Sequence, residues 1–111
     1  MAALMKVNLG GEGEYPDCIN QQGPWALFPS WRAVDGKRTL QDLRAAGHRF
    51  VISSNLCLPF TDNSVDIVYT RNVPIDRLAL HGPGVQSSEI RRILKPGGYW
   101  MKDDALEYVK P

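Results

Sequence analysis

Residues 58–70 read LPFTDNSVDIVYT and residues 89–100 read EIRRILKPGGYW. In the first, Leu58-Pro59-Phe60 and Thr61-Asp62-Asn63-Ser64 form a turn region, because proline and the short polar side chains favour turns. Val65 to Thr70 follows as a strand, with the β-formers Val65, Ile67, Val68 and Tyr69 close together. In the second, Ser87 or Ser88 just upstream can cap a helix running through Leu94, with Ile90, Ile93 and Leu94 toward the core. Lys95-Pro96-Gly97-Gly98 stops that helix, and Tyr99-Trp100-Met101 opens a strand that turns acidic at Asp103 and Asp104. Strand, helix and strand in this order favour parallel pairing through a right-handed crossover.

Upstream, no internal repeat is visible, and further elements precede these blocks. Lys6-Val7-Asn8-Leu9 alternates polar and apolar residues and runs into Gly10-Gly11-Glu12-Gly13, a strand ending in a glycine-rich turn. Tyr15 to Asp35 carries Pro16, Pro24 and Pro29 and reads as mostly loop, with one short helical turn near Trp25 to Phe28. Trp25, Phe28 and Trp31 read as core or an oligomer face in preference to a lid over a flat substrate. Thr39 to Ala46 reads as a helix capped by Thr39, with Asp42 near its amide end and Gly47 closing it. Arg49 to Ser53, with Phe50, Val51 and Ile52 in a row, reads as a strand covered on both faces. Asn72 to Gly84 reads as loop. The expected fold is α/β: a reduced, Rossmann-like three-layer sandwich with a mostly parallel sheet, in one domain over residues 1–111.

Composition narrows the function. Thirteen Lys and Arg against twelve Asp and Glu give a net charge of +1, which speaks against a broad nucleic-acid footprint. Arg91, Arg92 and Lys95 read as a solvated helix end, not an RNA patch. No apolar run approaches the ~20 residues of a membrane span, and Met1 to Lys6 does not read as a signal peptide. Cys18 and Cys57 form no paired motif, so a reducing cytoplasm is the expected compartment. His48 and His81 lack metal-ligand spacing and read as surface or loop residues. At 111 residues the chain buries a modest core, and self-association is one way to recover buried area.

The blocks LPFTDNSVDIVYT and EIRRILKPGGYW, with VNLGGEG at the start, resemble class I S-adenosylmethionine-dependent methyltransferases. The resemblance covers most of residues 6 to 105. It implies that Gly10, Gly11 and Gly13 pass beneath the methionine moiety of S-adenosylmethionine. It implies that Ser54, Asn55 and Leu56 end the third parallel strand beside the adenine, with Ser53 also a candidate for the family's acid or amide. Arg71 and Asn72 would emerge near the sulfonium and a small-molecule acceptor. The ribose acid of the second strand is not obvious: Asp35 is the nearest candidate and Asp17 is the other. Pro59, Phe60 and Pro96 would shape turns and touch no substrate.

The departures from the family pattern are equally specific. Glu12 stands where a glycine is common, and its carboxylate would repel the cofactor's carboxylate while attracting its sulfonium and ammonium groups. Pro74 denies a helix after the fourth strand. No counterpart is expected for the family's last two strands after Pro111, nor for its N-terminal closing helices. Methyl transfer mainly needs in-line alignment; a base helps only where the acceptor is protonated. Asp76, His81, Asp103 and Asp104 are candidates, but no dyad or triad is present and the catalytic residue stays unassigned. The expected function is methyl transfer to a small molecule. The alternatives are a noncatalytic interaction or regulatory subunit, completed by oligomerisation or a partner, and different chemistry on the same scaffold.

Overall fold

The computed structural model describes residues 4–111; Met1 to Ala3, the head of the segment read for a leader, lie outside the described residues. Strands β1 (Lys6–Leu9), β2 (Ile19–Gln22), β3 (Arg49–Ile52), β4 (Val65–Thr70), β5 (Leu78–Ala79), β6 (Gly82–Pro83), β7 (Leu94–Lys102) and β8 (Ala105–Val109) accompany helices α1 (Leu40–Ala45) and α2 (Ser87–Ile93). Six strands form one sheet in the order β3-β2-β1-β4-β7-β8, and β5 and β6 make a separate hairpin. Every neighbouring pair in the large sheet is parallel except β7 and β8. This is the expected mostly parallel, truncated Rossmann-like architecture. Among the described residues, no helix is long and apolar enough to cross a membrane.

Two strands lie where the sequence gives no strand signal. β2, Ile-Asn-Gln-Gln, has only one β-former and sits within the proline-rich stretch read as loop. It is a strand because β1 and β3 hydrogen-bond to it from either side, a tertiary override of weak propensity. β8 follows the acidic turn at Asp103 and Asp104, both with positive φ, and gives the chain an antiparallel edge strand before Pro111. β3 differs in the opposite sense. Its apolar run reads as doubly covered, yet it is the edge of the sheet and only half-buried.

α1 follows its sequence signals closely. The Thr39 hydroxyl accepts from the Asp42 amide at 3.1 Å and the Asp42 carboxylate accepts from the Thr39 amide at 2.9 Å, a reciprocal capping box. Gly47 closes the helix at φ +97°. α2 ends one residue earlier than expected, and β7 begins at once with Leu94. The Lys95–Gly98 segment is an outward excursion of that strand: Val65 pairs with Leu94, but Ile67 pairs with Tyr99.

The main core lies between α2 and one face of the sheet. Val7, Leu9, Val68 and Trp100 meet Ile90, Ile93 and Leu94 there. Leu40 and Leu43 of α1 are buried outside this cluster. Of the two readings of Trp25, Phe28 and Trp31, core or oligomer face, the first does not hold for the main core: none belongs to the cluster, and Phe28 is largely exposed.

Arg92 proves to be more than a solvated helix end. Its guanidinium donates to both carboxylate oxygens of Glu89 (2.7 and 2.9 Å), to Asp62 at 2.9 Å, and to the carbonyls of Phe60 (2.8 Å) and Leu58 (3.0 Å). Glu89 in turn accepts the Leu58 amide at 2.8 Å. One side chain therefore fastens the Leu58-Pro59-Phe60 turn to α2. The Glu89 carboxyl is held below its usual range, first by its bonds to Arg92. Arg92→Ala strands Glu89 and frees two carbonyls. It is expected to cost about 1–3 kcal/mol, read as a lower urea midpoint at unchanged m-value.

Candidate functional site

The chain order of the sheet reverses between β1 and β4. From β1 the chain steps outward to β2 and β3; from β4 it steps the other way to β7. In open α/β sheets, ligands bind outside the carboxyl ends of the strands at this switch point. A cleft of about 460 Å³ opens there, lined after β1 by Gly10, Glu12, Gly13 and Glu14 and after β4 by Arg71 and Asn72. Val34, Arg38 and His48 complete the wall.

A polar scaffold on the sheet holds the glycine turn in place. Asn8 and Asn20 are paired across β1 and β2 and are fully buried. The Asn8 amide nitrogen donates to Asn20 Oδ1 (3.2 Å) and to Glu14 Oε1 (3.1 Å). Asn20 Oδ1 also accepts the Gly13 amide at 3.1 Å, and Gln22 Nε2 donates to the Gly11 carbonyl at 3.0 Å. The Gly10 amide donates to Gln21 Oε1. Further along the loop, Tyr15 stacks on Tyr69 of β4 at 4.1 Å, and its hydroxyl donates to Asp104. Loss of solvation, and then the Asp104 bond, push the Tyr15 hydroxyl up to about 12, so it stays a donor.

Glycine is required here by the protein's own packing. A Cβ on Gly11 would fall 2.5 Å from the Asn8 amide and 2.6 Å from Asn20 Oδ1. One on Gly13, at φ +90°, would fall on the His48 ring, and one on Gly10, at φ +64°, would meet Val73. Gly10 and Gly13 still present backbone to the cleft, whereas Gly11 is buried behind it.

The other sequence-derived candidates divide into open and committed groups. Arg71 and Asn72 line the cleft. Asn55 is buried: its Oδ1 accepts from Gln21 at 3.1 Å and its nitrogen donates to the Pro83 carbonyl at 2.9 Å. Ser54 Oγ accepts the Leu56 amide, and the Leu56 side chain is exposed. Asp35 lies in a turn well beyond β2. Its carboxylate accepts from the amides of Lys37 and Arg38 and from the Arg38 guanidinium, which lowers its pKa to about 2. Its neighbours Val34 and Arg38 line the cleft. Asp17 precedes β2. The residue that ends β2 is Gln22, invisible to sequence reasoning because β2 itself was.

The three candidate aspartates are engaged, and His81 is stacked. Asp76 accepts the amide and hydroxyl of Ser87 at the start of α2 (2.8 and 2.6 Å). Asp103 accepts the Asn72 amide at 2.8 Å. Asp104 takes the Tyr15 hydroxyl and sits 3.8 Å from Arg71. His81 stacks on Trp25 at 5.9 Å.

Glu12 is the most instructive cleft residue. Its carboxylate accepts the Val34 amide through both oxygens at 3.2 Å, tying the 33–38 turn to the glycine turn. Burial pushes its pKa above the ordinary 4.5. A carboxyl whose folded pKa is raised binds its proton better folded than unfolded, so its contribution falls as pH rises through the folded value. Glu12→Gln keeps an acceptor for Val34 and abolishes the ionisation. The variant's stability relative to the parent is expected to increase as pH climbs from below the ordinary carboxyl value toward neutrality, measured by urea denaturation at each pH.

A family model described as "Methyltransferase domain" matches residues 30–101. The sterol 24-C-methyltransferase ERG6B of Gibberella zeae is 36% identical over 66 residues, which covers 53% of this chain and 16% of that relative. This chain thus corresponds to a small part of the curated relative's length. The glycine turn lies ahead of the family match, so its place at the switch point rests on the fold.

Proposed function

We propose, because this chain belongs to the methyltransferase-domain family, that its switch-point cleft binds S-adenosylmethionine and that the domain serves methyl transfer to a small-molecule acceptor. The observation that carries this reading is the convergence of the β1 glycine turn and the β4 end on one cleft of about 460 Å³. That volume lies within the roughly 300–1,000 Å³ usual for small-ligand sites.

The cleft's chemistry fits the amino-acid end of the cofactor. Glu12 and Glu14 offer carboxylates to cationic groups, while Arg38 and Arg71 offer guanidiniums to a carboxylate. The bare backbone at Gly10 and Gly13 permits close approach. For the nucleoside end, Ser54 and the exposed Leu56 remain open at the end of β3. S-adenosylmethionine, when bound, supplies an electrophilic methyl group. The chain's contribution is then to hold and orient; Arg71 and Asn72 face that task from β4.

A second reading, a noncatalytic domain completed by another copy or a partner, is favoured by one observation. Gln22 at the end of β2 and Asn55 after β3 turn their amides inward, onto Gly11 and onto Gln21 and Pro83. Both amide nitrogens are therefore directed at the protein's own carbonyls in place of a ribose or an adenine.

Calorimetric titration with S-adenosylmethionine and S-adenosylhomocysteine separates the two. The first reading expects saturable binding of both. It also expects about ten-fold weaker binding in Arg71→Ala with Tm unchanged, since Arg71 is exposed and only loosely paired. Absence of binding by the intact chain would leave the noncatalytic reading.

A further inference from the structure

We infer that a second cavity at the same rim, beside the switch-point cleft, takes a small organic carboxylate held by Arg77 and Lys102, and that this is the seat of the methyl acceptor. Only the word acceptor rests on the cofactor reading above; the anion site stands on its own residues.

The cavity measures about 430 Å³ and is lined by Asn72, Val73, Pro74, Ile75, Arg77, Lys102 and Asp103. It lies across the carboxyl ends of adjacent strands, since Thr70 of β4 is paired with Lys102, the last residue of β7. Asn72 lines both this cavity and the cleft. Val73 lines it too, and its Cγ2 would stand 2.8 Å from a Cβ on Gly10. Two residues thus form the partition between the glycine turn and the second cavity, so a molecule seated here is a neighbour of one seated there.

The charge of the cavity sets the ligand class. Arg38, Arg71, Arg92 and Lys95 all have carboxylate partners within ion-pair distance. Arg77 and Lys102, like several other cations among the described residues, have none, and both line this cavity together with Asp103. The Asp103 carboxylate is instead turned to the Asn72 amide. Two cations facing one committed carboxylate leave a net positive cavity, which favours an anion. The lining is mostly polar, and Val73, Pro74 and Ile75 supply a smaller apolar strip that a short carbon skeleton can cover and a fully hydrated inorganic ion cannot. A guanidinium and an ammonium on one carboxylate give charge-assisted hydrogen bonds of the stronger kind.

The test is amide-shift NMR on the intact chain with a set of small aromatic and aliphatic carboxylates, each paired with its neutral carboxamide, and with inorganic phosphate. The expected result is saturable shifts at Asn72 and Asp103 for carboxylates, with the carboxamides and phosphate binding at least about ten-fold more weakly. Arg77→Gln and Lys102→Gln should each weaken carboxylate binding, and together abolish it, while leaving the S-adenosylhomocysteine affinity unchanged. Both side chains are unpaired, so these variants are expected to fold, and an unchanged Tm verifies it. No shift with any carboxylate, equal binding of the carboxamides or of phosphate, or shifts that survive the double variant would overturn the inference. Carboxylate binding without S-adenosylhomocysteine binding would sink the cofactor reading and leave the anion site standing; the reverse pattern would sink the anion site alone.

Discussion

The connection between β1 and β2 is too short for a helix. A parallel crossover usually takes about a dozen residues or more, most often with a helix, and here Leu9 and Ile19 are joined by the turn and loop from Gly10 to Cys18. Something else must cover the sheet face that a helix would have buried. The chain covers it with its own loop, and the price is a row of buried amides. Asn8, Asn20 and Gln22 point into that face and bond the backbone of Gly11 and Gly13 and the carboxylate of Glu14. Buried polar groups are tolerable only when nearly all are satisfied, and among the described residues Asn8 Oδ1 is the one such side-chain atom left without a partner.

That constraint propagates to the rim. Because the amides grip the loop, the glycine turn is fixed relative to β1, and the cleft beside it has defined walls. The loop's far end is fastened by Tyr15 on Tyr69 and Asp104, which brings the β7–β8 turn into the same structure. Glu12 extends the grip to the 33–38 turn. A helical crossover would direct a helix N-terminus at the rim. Here side-chain charges from Glu12, Glu14, Arg38 and Arg71 take that place, so the charge presented at this cleft comes from ionisable groups more than from a backbone dipole.

Membership of the methyltransferase-domain family and the sheet order agree with each other, but they bear on different parts of the chain. The family match starts after β2, in the part where motif, turn and helix keep the family pattern. The unusual features, a helix-free crossover and a glutamine ending the second strand, lie ahead of it. The two halves meet at the switch point, where Val73 touches the glycine turn and Asn72 joins two cavities.

The amino-acid order alone determined β1, β4, both helices, the capping box at Thr39 and the α/β class, because those segments carry local signals: apolar periodicity, caps and turn residues. Gly10, Gly13, Arg71 and Asn72 were legible as rim residues for the same reason, since each directly follows a strand with a strong pattern. β2 was not legible, because Ile-Asn-Gln-Gln becomes a strand only between two neighbours that complete its hydrogen bonds. With β2 hidden, Gln22 and the purpose of Asn8 and Asn20 were hidden too. Local sequence likewise gave no sign that Asn55 turns inward, that Arg92 fastens the Leu58–Phe60 turn, or that Arg77 and Lys102 share a cavity. Each brings together residues far apart along the chain, in a hydrogen bond for Asn55 and Arg92 and in a common cavity lining for Arg77 and Lys102, and only the packed sheet does so.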